Sequence, residues 1–156
     1  MIAGGSRRPA ERPPDTTVDP RFRYVHRLQV RFRDVDALGH VNHAAQLAYV
    51  EQARTLYFHE LTGIEIPDGL RWVIRTLSIE YLVPLSFAEV VDTGWRLGRL
   101  GRSSADYEFE LAAGGRTVAR GGGVLVYADP RAGRSEPIPD EYRAIIAAYE
   151  SIPART

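Results

Sequence analysis

Hydrophobic and polar side chains alternate along five stretches of the chain. In the first stretch, Leu28, Val30 and Phe32 point to one side of an extended backbone, and the polar residues between them point to the other. The same period of two returns later in the chain, across residues 73–83, 91–97, 107–111 and 117–127. The pattern therefore predicts five half-buried strands, one early and four late.

A helical pattern separates the first strand from the other four. Asn42 is a favourable N-cap, and residues 43–61 follow it with apolar side chains around most of the helix circumference. Gly63 can end this helix in the left-handed conformation. We expect a helix about 30 Å long that begins at His43 and is enclosed by other parts of the protein. A second, shorter amphipathic helix is expected over residues 140–150.

This order of elements is typical of an α+β fold, in which a five-stranded antiparallel sheet wraps around one long central helix. Residues 1–21 are rich in proline, arginine and glycine, and we expect them to form a disordered N-terminal arm. Residues 22–152 are then a single domain. Glycines 121–123 interrupt the fifth strand, which predicts a close approach by the helix or by the backbone of a partner.

Composition and charge narrow the class of protein. The 20 basic and 20 acidic residues cancel, so no electrostatic bias favours nucleic acid or an anionic membrane as a partner. All the basic residues are arginines, which suit phosphate recognition but equally fit codon bias. No cysteine and no long apolar run is present. We therefore expect a cytoplasmic protein that binds neither nucleic acid nor membrane.

Asp36 is the strongest candidate for a catalytic carboxylate. It stands three residues before Gly39 and six before the N-cap Asn42, next to the unpaired N–H groups and the positive end of a helix. Those features favour the ionised carboxylate, and the N–H groups can also donate to the oxyanion of a tetrahedral intermediate. A thioester suits such a site because its thiolate leaves without protonation, so Asp36 could attack directly or activate water.

The residues around Asp36 also carry a family motif. Residues 36–42 read Asp-x-x-Gly-His-Val-Asn, and the similarity continues through residues 30–54, 79–85, 101–104, 119–120 and 124–127. On these residues the chain resembles the hot-dog acyl-CoA thioesterases of the 4-hydroxybenzoyl-CoA thioesterase type, over roughly residues 28–149. The resemblance implies a hot-dog fold and hydrolysis of an acyl-CoA or acyl-carrier-protein thioester without a cofactor.

The resemblance also implies roles for individual residues. Asp36 would be the nucleophile or general base, the backbone N–H of His43 would polarise the thioester carbonyl, and Gly39 and Asn42 would shape the loop. Candidate substrate contacts are His40, Arg99, Arg102 and Ser103, the last three at a turn that lies near the site mouth in this family. Such enzymes build the site between two subunits of a homodimer, often within a tetramer. The chain departs from the pattern at Gln46, where relatives usually carry tyrosine or phenylalanine.

Other interpretations stay open at this point. His40 and His43 could suggest a metal site, but no third ligand follows at a suitable spacing, so we expect none. Glu51 could be a mid-helix catalytic acid, although an ion pair with Arg54 is the simpler expectation. An enoyl-CoA hydratase or dehydratase on the same fold and a non-catalytic acyl-thioester binding module are the alternative functions.

Overall fold

The computed structural model describes residues 8–67 and 69–153. Each predicted element is present, with bounds that differ by a few residues. The elements follow in this order: β1 (Tyr24–Gln29), a 3-10 turn (Phe32–Asp34), α1 (His43–Thr62), β2 (Trp72–Tyr81), β3 (Val90–Leu100), β4 (Ser104–Ala113), β5 (Arg116–Asp129), β6 (Arg134–Ser135) and α2 (Asp140–Glu150).

The sheet is antiparallel, with the strand order β1-β3-β4-β5-β2. The prediction of an α+β hot-dog fold, with a five-stranded sheet around one long helix, is confirmed. The structure adds the two-residue strand β6, which pairs with the end of β5. Strands β1 and β2 form the two edges of the main sheet.

The long helix α1 begins and ends where the sequence predicts. The Asn42 side chain accepts a hydrogen bond from the Ala44 N–H, and Gly63 ends the helix with a φ of +72°. Its buried side chains recur at the spacing of a single face: Gln46, Tyr49, Val50, Ala53, Arg54, Tyr57 and Phe58. Ala44 and Ala48 are exposed, so this chain alone encloses only part of a helix that is apolar all round.

Aromatic side chains fill the space between α1 and the sheet. Trp95 stacks on Tyr107 with ring centroids 4.8 Å apart, and Trp72 stacks on Phe58 at 5.0 Å. All four are buried in one continuous core. Neither helix of the described residues has the length and apolar character that a membrane crossing requires.

The glycines of β5 allow neighbouring strands to approach closely. A Cβ on Gly121 would lie 2.1 Å from the Ser78 carbonyl oxygen of β2, and one on Gly123 would lie 2.0 Å from that of Thr76. A Cβ on Gly122 would meet the Tyr107 oxygen of β4 at 2.4 Å. The close approach is present, but within the chain the approaching backbone is that of the two adjacent strands and not that of the helix.

The prediction for the first strand is wrong at its C-terminal end. The strand ends at Gln29, and Phe32, expected on the buried face, is 81% exposed. Beyond the strand, the Val30 N–H donates to the Glu89 carbonyl, and residues 32–34 turn in a 3-10 conformation. The 3-10 turn buries Asp34 and exposes Phe32. Apolar and polar residues thus still alternate in the sequence where the strand has already ended.

The expectation of a disordered arm over residues 1–21 is also wrong where the structure describes it. Residues 1–7 lie outside the described part, but residues within 8–21 make contacts with the sheet. Val18 is 1% exposed and packs with Phe22, Val25 and Ala112. The Arg12 guanidinium donates to the Val18 and Phe22 carbonyls. Composition could not predict that this segment is ordered, because only a few of its residues, such as Val18 and Arg12, make the contacts that hold it.

The arm needs the open space above Gly94 in β3. A Cβ at Gly94 would lie 2.6 Å from a methyl carbon of Val18 and 2.8 Å from the Phe22 ring. We expect Gly94→Ala to lower the free energy of unfolding by about 1–3 kcal/mol, as overpacking does. Gly98→Ala, on the same strand, meets only the Asp106 oxygen at 3.8 Å and should cost nothing measurable. Urea unfolding of both variants tests this, and equal stabilities would contradict the packing of the arm.

A buried carboxylate fastens α2 to the core. Glu150 is 8% exposed, and its Oε1 accepts from the Tyr57 hydroxyl at 2.8 Å and from the Leu97 N–H at 3.1 Å. Burial raises the pKa of Glu150, and these hydrogen bonds offset only part of that effect. The folded protein therefore holds a proton on Glu150 more tightly than the unfolded chain does.

The raised pKa makes a prediction about stability against pH. The contribution of Glu150 is fully present below the pKa of an unfolded glutamate, about 4.3, and is lost as the pH rises through the higher folded value. Glu150→Gln keeps both hydrogen bonds without a charge. It should match wild type near pH 4 and be more stable at pH 8, as measured by urea unfolding at each pH. A difference that does not change with pH would contradict this account.

Candidate active site

A tight loop between the 3-10 turn and α1 presents Asp36. The Asp36 N–H donates to the His40 carbonyl at 2.9 Å, and the Gly39 N–H donates to the Asp36 carbonyl at 3.0 Å. Gly39 has a φ of +80°, which strains any residue with a Cβ. An isolated bridge joins His40 to Ser86, so the loop is fastened to the segment that precedes β3. The sequence-predicted residues Asp36, Gly39 and His40 therefore share one short turn.

The Asp36 carboxylate belongs to the loop that leads into the N-terminus of α1. The side chain is exposed, and its Oδ1 accepts from the Leu38 N–H at 2.9 Å. Asn42 caps the helix through the Ala44 N–H at 2.8 Å. The His43 N–H donates to no acceptor in the part of the chain that the structure describes. A carboxylate and an open N–H donor thus belong to a single loop and helix junction.

Tyr81, which sequence reasoning missed, lies against this junction. Its hydroxyl donates to the His43 carbonyl at 3.1 Å, and the two rings meet edge to face with centroids 6.3 Å apart. Tyr81 ends β2 and is 42% exposed, and burial of the remainder raises the pKa of its hydroxyl. In the sequence it is one more residue of an alternating strand, so only the fold reveals its position.

The other predicted substrate contacts lie far from Asp36 within one chain. Arg99 lies near the end of β3, and Arg102 and Ser103 occupy the turn between β3 and β4, whereas the Asp36 loop meets the segment before β3 begins. The 11 residues of β3 separate these two ends by about 30 Å. The backbone of the turn is held by other elements: the Arg102 carbonyl accepts from the Ile138 N–H and the Ser103 carbonyl from the Tyr127 N–H. The expected nearness of this turn to the site is not met within a single chain.

Two surface depressions of the described structure lie away from Asp36. A depression of about 530 Å³ lies over β2, β4 and β5, lined by residues that include Glu80, Glu108 and Arg120. A second, of about 300 Å³, lies beside Arg27 and Asp92. Neither depression is lined by a residue predicted for the site.

The remaining sequence hypotheses concern Gln46 and Glu51. Gln46 is 5% exposed, and its side-chain oxygen has no hydrogen-bond partner among the described residues. Glu51 pairs with Arg54 at 2.5 Å, so the ion pair expected on the helix is present. The described residues contain no group of three or more histidine, cysteine, aspartate or glutamate side chains that could hold a metal ion.

The chain matches the sequence model of the thioesterase-like superfamily over residues 30–146. It is also similar to the acyl-CoA thioesterase YbgC of Helicobacter pylori, with 30% identity over 66 residues. These residues are 42% of this chain and 50% of that protein, so the chain spans about half the length of the curated relative it matches.

Solved structures of thioesterases share the fold. A thioesterase of Thermus thermophilus, complexed with coenzyme A and Zn, is 40% identical, with a TM-score of 0.73 over 83% of this chain and 96% of that one. The gentisyl-coenzyme A thioesterase BH1999 is 26% identical, with a TM-score of 0.69 over 79% of this chain and 98% of that one. In both comparisons nearly the whole of the solved chain is matched.

The Asn42 cap makes a prediction about the start of α1. Asn42→Ala removes the acceptor for the Ala44 N–H and should lower the free energy of unfolding by about 0.5–2 kcal/mol. Asn42→Ser retains an acceptor oxygen at a position that favours it and serves as the matched control. Urea unfolding measures both variants. Equal stability of the alanine and serine variants would show that the cap does not anchor the helix.

Proposed function

The chain belongs to the thioesterase-like superfamily, and from that premise we propose that it hydrolyses an acyl-CoA or a similar pantetheine thioester. Asp36 is the nucleophile or general base, and the His43 N–H binds the developing oxyanion. The observation that carries the proposal is that an exposed carboxylate and an open backbone donor belong to the same loop and helix junction.

The chemistry requires both groups of that junction. In the general-base route, the oxygen of a water molecule bonds to the thioester carbon while a water proton passes to Asp36. The carbonyl oxygen becomes an oxyanion that accepts from the His43 N–H, and one such donor lowers the barrier by about 2.7–4 kcal/mol. Collapse of the intermediate breaks the carbon–sulfur bond and releases a thiolate and the free acid.

The nucleophilic route uses the same two groups in two steps. An Asp36 oxygen bonds to the thioester carbon and expels the thiolate, which leaves a mixed anhydride on the protein. Water then hydrolyses that anhydride and regenerates the carboxylate. In both routes the leaving group is a thiolate, which needs no proton from a general acid. The site therefore works with a carboxylate and a donor and without a second acid.

The relatives and the chemistry of pantetheine support the proposed substrate class. The YbgC relative is described as an acyl-CoA thioesterase, and the Thermus structure is complexed with coenzyme A. Coenzyme A and acyl carrier protein present the same pantetheine thioester to a site. We take acyl-CoA as the first substrate to test and acyl carrier protein thioesters as the second.

We further propose that the active protein is a homodimer that joins two sheets along β2. This strand is an edge of the sheet, and Val73, Leu77 and Tyr81 on it are 47%, 38% and 42% exposed. An exposed apolar edge strand is a natural site for pairing with another copy. In a two-fold symmetric dimer, the β2 strands of the two copies would cover each other's edges and run antiparallel.

The same pairing would complete the substrate contacts. Tyr81, at one end of β2, contacts His43 of the junction, and Trp72, at the other end, pairs with Tyr127, whose N–H donates to Ser103. Antiparallel pairing of β2 with a second copy brings the Ser103 end of one chain to the Asp36 end of the other. Arg99 and Arg102 of the second copy would then be placed to contact the phosphates of coenzyme A.

The reaction is tested by release of free thiol from acetyl-, octanoyl-, palmitoyl- and benzoyl-CoA. We expect wild type to hydrolyse at least one of these, and Asp36→Asn to lower kcat by about 10²–10⁴-fold, the usual loss when a positioned base is removed. Glu11→Gln, an exposed carboxylate on the N-terminal arm, is the control and should keep full activity.

Two other outcomes point to the alternatives. Binding of acyl-CoA without thiol release in either protein would favour a non-catalytic acyl-thioester module. Hydration of an enoyl-CoA, measured as loss of its ultraviolet absorbance, would favour the hydratase. Equal thiol release by wild type and Asp36→Asn would exclude Asp36 as the reacting carboxylate.

A further inference from the structure

A second aspartate, Asp34, lies two residues before Asp36 and is buried, whereas Asp36 is exposed. Its side chain is 7% exposed, and its Oδ2 accepts from the Tyr49 hydroxyl of α1 at 2.6 Å. The same carboxylate accepts from the Arg31 Nε at 3.1 Å and from the Arg31 Nη2 at 3.3 Å. Burying a carboxylate is costly unless it is paired and hydrogen-bonded, and both conditions are met here.

The Asp34 backbone makes a second connection to the same helix. Its carbonyl accepts from the N–H of the N-cap Asn42 at 2.9 Å. The side chain reaches Tyr49, seven residues beyond Asn42. One residue therefore contacts the cap and the second turn of α1, and two separated contacts fix both the position and the rotation of the loop against the helix.

Resting on the proposed thioesterase function, we propose that Asp34 and Tyr49 are positioning residues that hold Asp36 in register with the His43 N–H. Neither residue contacts the substrate. Asp36 is exposed and makes one side-chain hydrogen bond, to the neighbouring Leu38 N–H. Its placement relative to α1 therefore depends on the residues that fasten its loop, and Asp34, at the end of the 3-10 turn that precedes the loop, contacts the helix.

The charges make this contact persistent near neutral pH. Burial alone would raise the pKa of Asp34, but the hydrogen bonds from Tyr49 and Arg31 outweigh it and hold the pKa below its ordinary value. Burial and the Asp34 carboxylate raise the pKa of the Tyr49 hydroxyl. Asp34 stays ionised and Tyr49 stays protonated, so the contact is a charge-assisted hydrogen bond that does not open between neutral and mildly alkaline pH.

Helix α1 supplies a matched control for this contact. Tyr57, eight residues beyond Tyr49, also donates its hydroxyl to a buried carboxylate, that of Glu150 at 2.8 Å. Tyr57→Phe and Tyr49→Phe each remove one buried hydroxyl and leave the ring in place. Only Tyr49 faces the Asp36 loop. A loss of activity that merely follows a loss of stability would appear in both variants.

The test measures kcat and KM for both variants with the acyl-CoA that wild type hydrolyses most efficiently. We expect Tyr49→Phe to lower kcat by about 10²-fold with KM nearly unchanged, since a displacement of about 1 Å at the reacting group costs that much. Tyr57→Phe should keep the wild-type kcat. Asp34→Asn, which retains an acceptor for Tyr49, should lose less activity than Tyr49→Phe.

Amide hydrogen exchange of residues 35–43 gives a second readout that does not require turnover. Exchange there should accelerate in Tyr49→Phe and not in Tyr57→Phe. Suppose that wild type is active. A fully active Tyr49→Phe, or equal kcat losses in both tyrosine variants, would then overturn only the positioning role. A wild type that releases no thiol would overturn the proposed function, and the positioning role in catalysis with it, even if the exchange data showed that the contact orders the loop.

Discussion

The packing of α1 across the sheet is the constraint on which the other features depend. Two tyrosine hydroxyls on the buried face of this helix donate to buried carboxylates from other parts of the chain. Tyr49 reaches Asp34 near the N-terminus of the helix, and Tyr57 reaches Glu150 of α2 further along. The aromatic core fixes the distance between helix and sheet, and these two polar contacts fix which residues of the helix face which neighbours.

The carboxylates of Asp34 and Glu150 show that a neighbouring charge decides whether the pKa of a buried carboxylate is raised or lowered. Desolvation is the largest influence on the pKa of each. At Asp34 the guanidinium of Arg31 and the Tyr49 hydroxyl donate directly to the carboxylate, and its pKa is lowered. Glu150 has no directly bonded cation among the described residues, and its pKa is raised. The contact beside the loop of Asp36 therefore remains charged, while the contact of α2 favours a neutral acid.

The parts that sequence could predict are those set by local pattern. Alternation located β2 to β5, and a capping asparagine with a terminal glycine located α1, because each signal reflects the backbone's own geometry. Phe32 was misplaced because alternation continues beyond Gln29, where the bond from Val30 to Glu89 and the burial of Asp34 end the strand. The contacts of Tyr81 with His43 and of Tyr49 with Asp34 join segments distant in the chain, and no pattern within either segment contains them.

In α1, the apolar pattern of the sequence and the burial of its side chains in a single chain disagree. The sequence of this helix is apolar around most of its circumference, yet its buried residues in a single chain form one face, and Ala44 and Ala48 remain in solvent. Solvent-facing positions of a monomer are ordinarily polar. The exposed alanines lie on the same helix as the junction residue His43, which contacts the edge strand β2 through Tyr81. The proposed pairing of two copies along β2 would cover apolar surface at the end of the fold that carries the Asp36 loop, so it would account for both the uncovered helix and the open edge.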